Sequence, residues 1–142
     1  MNKLIGYTTI TVGDEVIPVK IGCGALREFL LLFGLSQPHD IYGALLTTMK
    51  IEVDGVEAET RVPADPFKFA AAILWSGADY VNRRQGGPGY KLEDAYEWLD
   101  EIGALDTEEM KRVYKIFWAS VRNGGLPVKE LPGDEKKSVE QQ

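Results

Sequence analysis

Apolar and polar residues alternate in two short stretches near the start of the chain. Ile10 and Val12 alternate with threonines in residues 7–12, and apolar residues alternate with Pro18 and Lys20 in residues 16–21. This period of two predicts two strands. Residues 13–15, Gly-Asp-Glu, suit a tight turn, so the strands are predicted to form a hairpin. Pro18 has no backbone N–H to donate, which places it on an edge strand or at a position facing outward.

The period then changes to that of a helix. Residues 23–33 are apolar on most of their surface, and Gly34 is a plausible end for this first helix. Ser36 is predicted to cap a second helix, with Pro38 in its first turn. The apolar stripe of that helix would comprise Ile41, Leu45, Leu46 and Met49.

Residues 51–58 can be interpreted in two ways. They alternate around Asp54-Gly55, which is a strong local signal for a hairpin. A second short hairpin is therefore predicted near residues 50–62. The competing interpretation is that the second helix runs on through Met49 into this region, and the pattern alone leaves both open.

Three further helices follow from the same spacing. Asp65 and Pro66 are typical of a helix start, with aspartate as the N-cap and proline at the first helical position. The buried stripe of this third helix is predicted to contain Phe67, Ala70, Ala71, Leu74 and Ala78. After the glycine-rich loop 86–89, apolar residues of the fourth helix recur at Leu92, Ala95, Tyr96, Leu99 and Ile102. Asp106 and Glu109 resemble a capping box for the fifth helix, whose amphipathic pattern is the cleanest in the chain.

These patterns predict an α+β fold that is mostly helical, with an N-terminal β-hairpin followed by about five helices. A chain of 142 residues is long enough for one ordinary domain and too short for two. We assign residues 1–125 to a single globular domain. Residues 126–142 contain prolines, charges and glutamines with few large apolar residues, so they are predicted to form a flexible charged tail.

Charge and cysteine content narrow the function classes. The net charge of −6 argues against binding nucleic acid, which requires a basic surface. The single cysteine excludes an internal disulfide, so folding needs no oxidising compartment. No apolar run approaches the ~20 residues of a membrane span, and no signal peptide is expected. These features predict a cytoplasmic protein without a membrane partner.

The residues that could carry catalysis are few. Cys23 begins a helix between two glycines, yet a nucleophilic cysteine needs a base, and His39 is the only histidine. The acidic residues of the fourth helix lack the histidines, cysteines or loop spacing of common metal sites. The loop 86–89 lacks the Gly-Lys-Ser/Thr ending of a phosphate-binding loop. We therefore predict no catalytic residue, no cofactor and no enzymatic activity.

Trp98 stands out among the aromatic residues. It lies about 100° from Leu99 around the predicted helix, toward the acidic side. An aromatic residue beside a charged face is typical of a protein–protein contact. Packing against the loop near Tyr90 is the equally weighted alternative.

Two segments carry a resemblance to a known family. Residues 21–29, Ile-Gly-Cys-Gly-Ala-Leu-Arg-Glu-Phe, follow a predicted hairpin and resemble the start of tail assembly chaperones from long-tailed, siphovirus-like bacteriophages. Residues 94–103, Asp-Ala-Tyr-Glu-Trp-Leu-Asp-Glu-Ile-Gly, are similar to a late acidic helix of that family. The similarity runs in order to about Gly124. Cys23 departs from the bulky residue expected there, and residues 51–62 have no match.

The resemblance implies a non-enzymatic chaperone. Such proteins coat the long tape measure protein and keep it soluble until tail tube subunits polymerise around it, and in several phages a frameshifted C-terminal extension recruits the tube protein. The expected partners are therefore the tape measure protein and the tail tube protein, with self-association as a further possibility. The expected place of action is the cytoplasm of the bacterial host, and the protein is not expected in the mature virion.

The predicted contact surface joins an apolar groove to an acidic rim, which is the arrangement that binds amphipathic helices. The groove would lie between the first and last helices. The candidate residues are Leu26, Phe29, Leu30, Phe33, Trp98, Glu97, Asp100, Glu101, Phe117 and Trp118. The alternatives are another small phage structural or head–tail completion protein and, at lower weight, a small enzyme or ligand-binding domain.

Overall fold

The computed structural model describes residues 6–103 and 107–124. Its elements, in chain order, are β1 (Tyr7–Val12), β2 (Glu15–Lys20), α1 (Cys23–Leu32), α2 (Asp40–Ala44), β3 (Leu46–Val53), β4 (Val56–Pro63), α3 (Pro66–Arg84), α4 (Leu92–Ile102) and α5 (Glu108–Arg122). The described ranges thus contain two antiparallel hairpins and five helices, which confirms the predicted α+β class. The tail predicted for residues 126–142 lies outside the described residues.

The N-terminal hairpin forms as predicted, with a shorter turn. Val12 pairs with Glu15, so the turn contains two residues, and Gly13 has a positive φ of 62°. A two-residue turn makes Val12 and Glu15 a hydrogen-bonded pair, and such pairs then alternate along the ladder. Pro18 lies opposite Thr9 at a non-hydrogen-bonded position, so no ladder bond is lost. The opposite face of the hairpin buries Ile10, Ile17 and Val19 against the helices.

The core lies between this hairpin and the helices α1, α3 and α5. Phe29 of α1 is completely buried at its centre. The ring centroid of Phe29 lies 4.9 Å from that of Phe117, 5.6 Å from Phe69 and 5.0 Å from Phe33. These tilted and edge-to-face arrangements are the favoured geometries for aromatic pairs. The rings therefore join α1, α3 and α5 in one cluster.

Helix α3 crosses the core and is buried along most of its length. It begins as predicted: the Asp65 carboxylate accepts a hydrogen bond from the backbone N–H of Lys68 at 3.2 Å, and Pro66 occupies the first turn. Gly77 faces β2 so closely that a Cβ atom there would lie 2.5 Å from Cγ1 of Val19. A glycine at this position lets the helix rest directly on the buried face of the hairpin. The predicted stripe is wrong at Phe67, which is 57% exposed because it lies in the first turn, beyond the core.

Alanine substitutions at two helical glycines are expected to have opposite effects. Gly77→Ala is expected to lower the free energy of unfolding by about 1 kcal/mol, because overpacking against Val19 outweighs the gain in helix propensity. Gly43 of α2 has no atom within 4 Å of its Cβ position, so Gly43→Ala should leave stability unchanged or raise it by up to ~1 kcal/mol. Urea denaturation of both variants measures the difference. Equal changes would contradict the close approach of α3 to β2.

The region after α1 differs from the prediction. Helix α2 is five residues long and ends at Ala44, so the predicted stripe through Met49 does not form. Its N-cap is His39, and Ser36 does not cap it; the Asp40 carboxylate instead accepts a hydrogen bond from the backbone N–H of Gln37 at 3.0 Å. The second hairpin is confirmed, and it extends over residues 46–63. Its β-branched residues and Asp54-Gly55 turn outweigh the helical spacing of the preceding leucines.

The start of α5 also differs in detail. Thr107 is the N-cap, and its hydroxyl accepts a hydrogen bond from the backbone N–H of Met110 at 3.3 Å. Asp106, predicted to be the cap, lies outside the described residues. The Glu109 carboxylate is not used in a capping box, since it accepts a hydrogen bond from the backbone N–H of Thr11 at 2.6 Å. Glu109 therefore connects α5 to the edge of β1. Among the described helices, none is long and apolar enough to cross a lipid bilayer.

Candidate protein-binding site

The groove predicted between the first and last helices is filled by the protein itself. Phe29 is 0% exposed and Phe117 is 1% exposed, and the two rings contact each other directly. The prediction that these two side chains contact a partner is therefore corrected: both belong to the core. Helical spacing placed each ring on the apolar face of its own helix, but it could not show that the two rings are neighbours.

Leu26 and Leu30 are also core residues, although their edges reach a surface depression. This depression has a volume of about 370 Å³ and lies beside α1. Its lining includes Leu26, Leu30, Leu31 and Leu35, and it ends at Gly124. Leu31, which was not predicted as a contact residue, is the most exposed of these leucines in the part of the chain that the structure describes, at 56%. The depression is shallow and open, so only Leu31 offers substantial apolar surface.

Phe33 and Trp118 lie at the margin of the core and are half-buried. The Trp118 ring stacks between Tyr42 and Phe69, with both centroids at 5.7 Å. The Lys68 ammonium lies 5.1 Å from the centre of the Phe33 ring. Both side chains stay partly exposed, and their contact with a partner stays a prediction.

Trp98 packs inside the molecule and is 8% exposed. Its ring meets that of Tyr90 edge-to-face at 4.9 Å, so of the two interpretations the packing against the loop is confirmed. The proposed contact between Trp98 and a partner is corrected accordingly. Glu97, Asp100 and Glu101 are exposed on α4 and form an acidic surface. Contact of these three carboxylates with a partner stays a prediction.

The loop 86–89 is held by polar contacts from α3. The buried Asp79 carboxylate accepts hydrogen bonds from the backbone N–H of Tyr90 at 2.7 Å and from Nε of Arg83 at 2.8 Å. The side-chain oxygen of Asn82 accepts from the backbone N–H of Gly89 at 2.8 Å. The indole N–H of Trp75 donates to the carbonyl of Tyr90 at 2.8 Å. The backbone N–H groups of Gly89 and Tyr90, which a phosphate would have to use, are already bound within the protein.

The residues considered for catalysis are not assembled into a site. Cys23 is exposed at the start of α1. His39 has a side chain that is 79% exposed, its Nε2 lies 3.6 Å from Asp40, and it is not among the residues that line the depression beside Cys23. Within residues 6–103 and 107–124, no group of three or more histidine, cysteine, aspartate or glutamate residues could hold a metal ion. Burial raises the pKa of the Tyr90 phenol, with nearby Glu15 and Asp94 adding to the effect.

The second hairpin, β3 and β4, forms an arm that carries three of the seven exposed large apolar side chains in the described ranges. Its strands pair in register from Leu46–Pro63 to Val53–Val56. Asp54 and Gly55 have positive φ values of 55° and 78°, as a type I′ turn requires. This turn matches the right-handed twist of the strands and fixes the register. The alternation of side chains is therefore fixed along the whole arm.

The two faces of the arm differ completely in chemistry. Directly paired residues point to the same side of the sheet, and successive pairs alternate. The apolar face of the arm comprises Thr47, Met49, Ile51, Val53, Val56, Ala58, Thr60 and Val62. The charged face of the arm comprises Thr48, Lys50, Glu52, Glu57, Glu59 and Arg61, with Leu46 and Pro63 at its base.

The charged face meets the body of the protein at the base of the arm, and the apolar face is exposed at most of its positions. Leu46 packs against the core, and the Arg61 guanidinium donates a hydrogen bond to the carbonyl of Tyr42. On the apolar face, Met49 is 45% exposed, Val53 52% and Val56 65%. A continuous exposed apolar surface without charges is a common mark of a binding site. We take this face as the candidate functional site.

Sequence reasoning missed this site although part of the signal was visible. The sequence predicts a hairpin near residues 50–62, but that prediction does not distinguish the two faces of the hairpin. Extending the alternation outward from Asp54-Gly55 in both directions would have placed every second residue on one side. Comparison of the chain with protein-family models, with curated proteins and with solved structures finds no match.

Proposed function

We propose that this protein is a non-enzymatic assembly chaperone of bacteriophage tails that binds the tape measure protein through the apolar face of its arm. The observation that carries the proposal is the exposed apolar surface around Met49, Val53 and Val56. The phage context rests on the resemblance of residues 21–29 and 94–103 to tail assembly chaperones. In this proposal the protein acts in the bacterial cytoplasm, before the virion is complete, and also contacts tail tube subunits.

The dimensions of the arm suit a helical partner. Each strand has eight residues, and at ~3.4 Å per residue the apolar face is about 27 Å long. A helix of this length has roughly 18 residues, or about five turns. An amphipathic segment of that size could lay its apolar side along the arm, as helices do in other hydrophobic grooves. Repeated along a long helical protein, such contacts would shield apolar stripes from aggregation.

A charge on the apolar face should abolish this interaction. In co-expression with a tape measure protein from the same phage, the wild-type chain is expected to raise the soluble fraction of that partner. Val56→Glu should weaken binding about tenfold or more, because the carboxylate would lose its water on contact. Solubility and pull-down of the partner provide the measurements.

Val16→Glu is the matched control. Val16 lies on β2 and is 59% exposed, close to the 65% of Val56, so the two substitutions make the same change at equally open strand positions. Thermal unfolding should show that both variants remain folded. Equal binding by the two variants would exclude the arm as the contact surface. An unchanged solubility of the partner with the wild-type chain would contradict the chaperone function itself.

A further inference from the structure

The outer edge of β3 carries free backbone hydrogen-bonding groups. In the part of the chain that the structure describes, the arm is a sheet of two strands, so each strand has one unpaired edge. The two-residue turn makes Val53 and Val56 a hydrogen-bonded pair, and such pairs recur at every second position. Lys50 and Glu52 lie at the intervening, non-hydrogen-bonded positions of β3, so their backbone N–H and C=O groups point away from β4. An edge of this kind is a template for pairing with another strand.

The side chains along this edge are complementary to themselves. If two β3 strands pair antiparallel about a two-fold axis at Ile51, each Lys50 lies directly opposite Glu52 of the second copy. The same register places Met49 opposite Val53 and Ile51 opposite its own copy. Lys50 and Glu52 both point their backbone groups outward, so they would form the hydrogen-bonded pairs that this register needs. Opposite charges and apolar residues facing each other across strands both stabilise a sheet.

We propose that the protein forms a homodimer in which the β3 edges of two arms pair antiparallel, centred on Ile51. The proposal does not depend on what the apolar face binds. The two arms would form one sheet of four strands. Directly opposite residues share a face, so the two apolar faces would join into one surface of twice the width. Because Ile51 lies close to the turn, the bodies of the two copies would lie at opposite ends of the sheet.

Neighbouring registers and the other edge are less favourable. Centring β3 on Lys50 would place the two ammonium groups opposite each other. On β4, the register nearest the turn is centred on Ala58, and it would place Glu57 opposite Glu59 of the second copy. Like charges in directly opposed positions destabilise strand pairing. On β4, centring on Thr60 would bring Glu59 opposite Arg61 of the second copy, but the Arg61 guanidinium already donates a hydrogen bond to the carbonyl of Tyr42. The arrangement centred on Ile51 is therefore the one that brings opposite charges together without breaking a contact within the protein.

Charge reversal tests the register. Lys50→Glu and Glu52→Lys each place like charges opposite one another at two symmetric positions, so each is expected to weaken dimerisation about tenfold or more. The double variant, with both reversals, restores opposite charges and should recover the wild-type dissociation constant. Glu97→Lys, at an exposed position on α4 away from the arm, is the matched control and should not change it. Sedimentation over a concentration series measures the dissociation constants of all four variants. For so small an interface, the wild-type dissociation constant is expected to be on the order of micromolar.

A crosslink at the proposed two-fold axis provides an independent measurement. Facing residues of a non-hydrogen-bonded pair have Cα atoms about 4.5 Å apart, which suits a disulfide. In a Cys23→Ser background, Ile51→Cys should form a covalent dimer under mild oxidation, whereas Val53→Cys, which would face Met49, should not. Three results would each overturn the proposal: a wild-type chain that is monomeric at ~100 μM, a double variant that does not recover dimerisation, or equal crosslinking at both positions. The concentration of ~100 μM lies well above the dissociation constant expected for a specific interface.

Discussion

Replacing Phe29 with alanine is expected to lower the free energy of unfolding by about 3–5 kcal/mol. Phe29 is completely buried and contacts the rings of Phe33, Phe69 and Phe117. The substitution would remove a large apolar side chain and leave a cavity between three helices. Because the surrounding core is closely packed, the helices cannot move in to fill this cavity. Denaturation in guanidinium chloride, monitored by circular dichroism, measures the loss.

Phe67→Ala is the matched control for this prediction. Phe67 is also a phenylalanine on a helix, but it is 57% exposed in the first turn of α3. Its replacement should change stability by no more than ~0.5 kcal/mol, as for most surface positions. A similar loss in both variants would mean that the two phenylalanines are equally buried, contrary to the structure.

Replacing Asp79 with alanine is expected to lower the free energy of unfolding by about 2–3 kcal/mol. The buried carboxylate accepts from the backbone N–H of Tyr90 and from the Arg83 guanidinium, and both bonds would be lost. Arg83 is half-exposed and lies 3.7 Å from Glu28, so it can be solvated or re-paired. The Tyr90 N–H would lose the acceptor that it has in the structure. Most of the expected decrease in the free energy of unfolding therefore comes from losing the hydrogen bond that anchors the loop 86–89.

Two measurements separate this role from a general loss of stability. Amide hydrogen exchange should show the protection of Tyr90 falling more than that of residues in the middle of α3. Asp100→Ala, an exposed carboxylate on α4, should change stability by no more than ~0.5 kcal/mol. If the Tyr90 amide in Asp79→Ala stayed as protected as in the wild type, Asp79 would not anchor the loop.

Local patterns were sufficient for much of the fold. The alternation in residues 7–12 and 16–21 predicted the first hairpin, and Asp65-Pro66 predicted the start of α3 to the residue. Both signals depend on backbone geometry within a few residues, which the rest of the protein does not override. The cap of α5 did not follow from the local pattern, because Thr107 and Asp106 are both good caps and the choice depends on where the chain enters the helix.

Side-chain partners could not be predicted in the same way. Periodicity placed Phe29 and Phe117 on apolar faces, but the same pattern fits a groove open to a partner and a core closed by its own rings. Trp98 lies at the border of its helix face, and its burial is decided by Tyr90, which approaches from a loop that Asp79 holds in place. These outcomes depend on residues far apart in the sequence. Spacing within one helix contains no information about them.

The sequence by itself determined the order and type of most elements, the place of the first hairpin and the scarcity of groups for catalysis, because each depends on residue chemistry and short-range backbone preferences. The tertiary structure decided which apolar residues remain exposed. It buried the predicted groove between α1 and α5 and left most of the apolar face of the arm exposed, while Leu46 and Arg61 attach the charged face to the body at the base of the arm. Burial is a property of packing between distant segments, and that packing moved the candidate binding site from the helices to the arm.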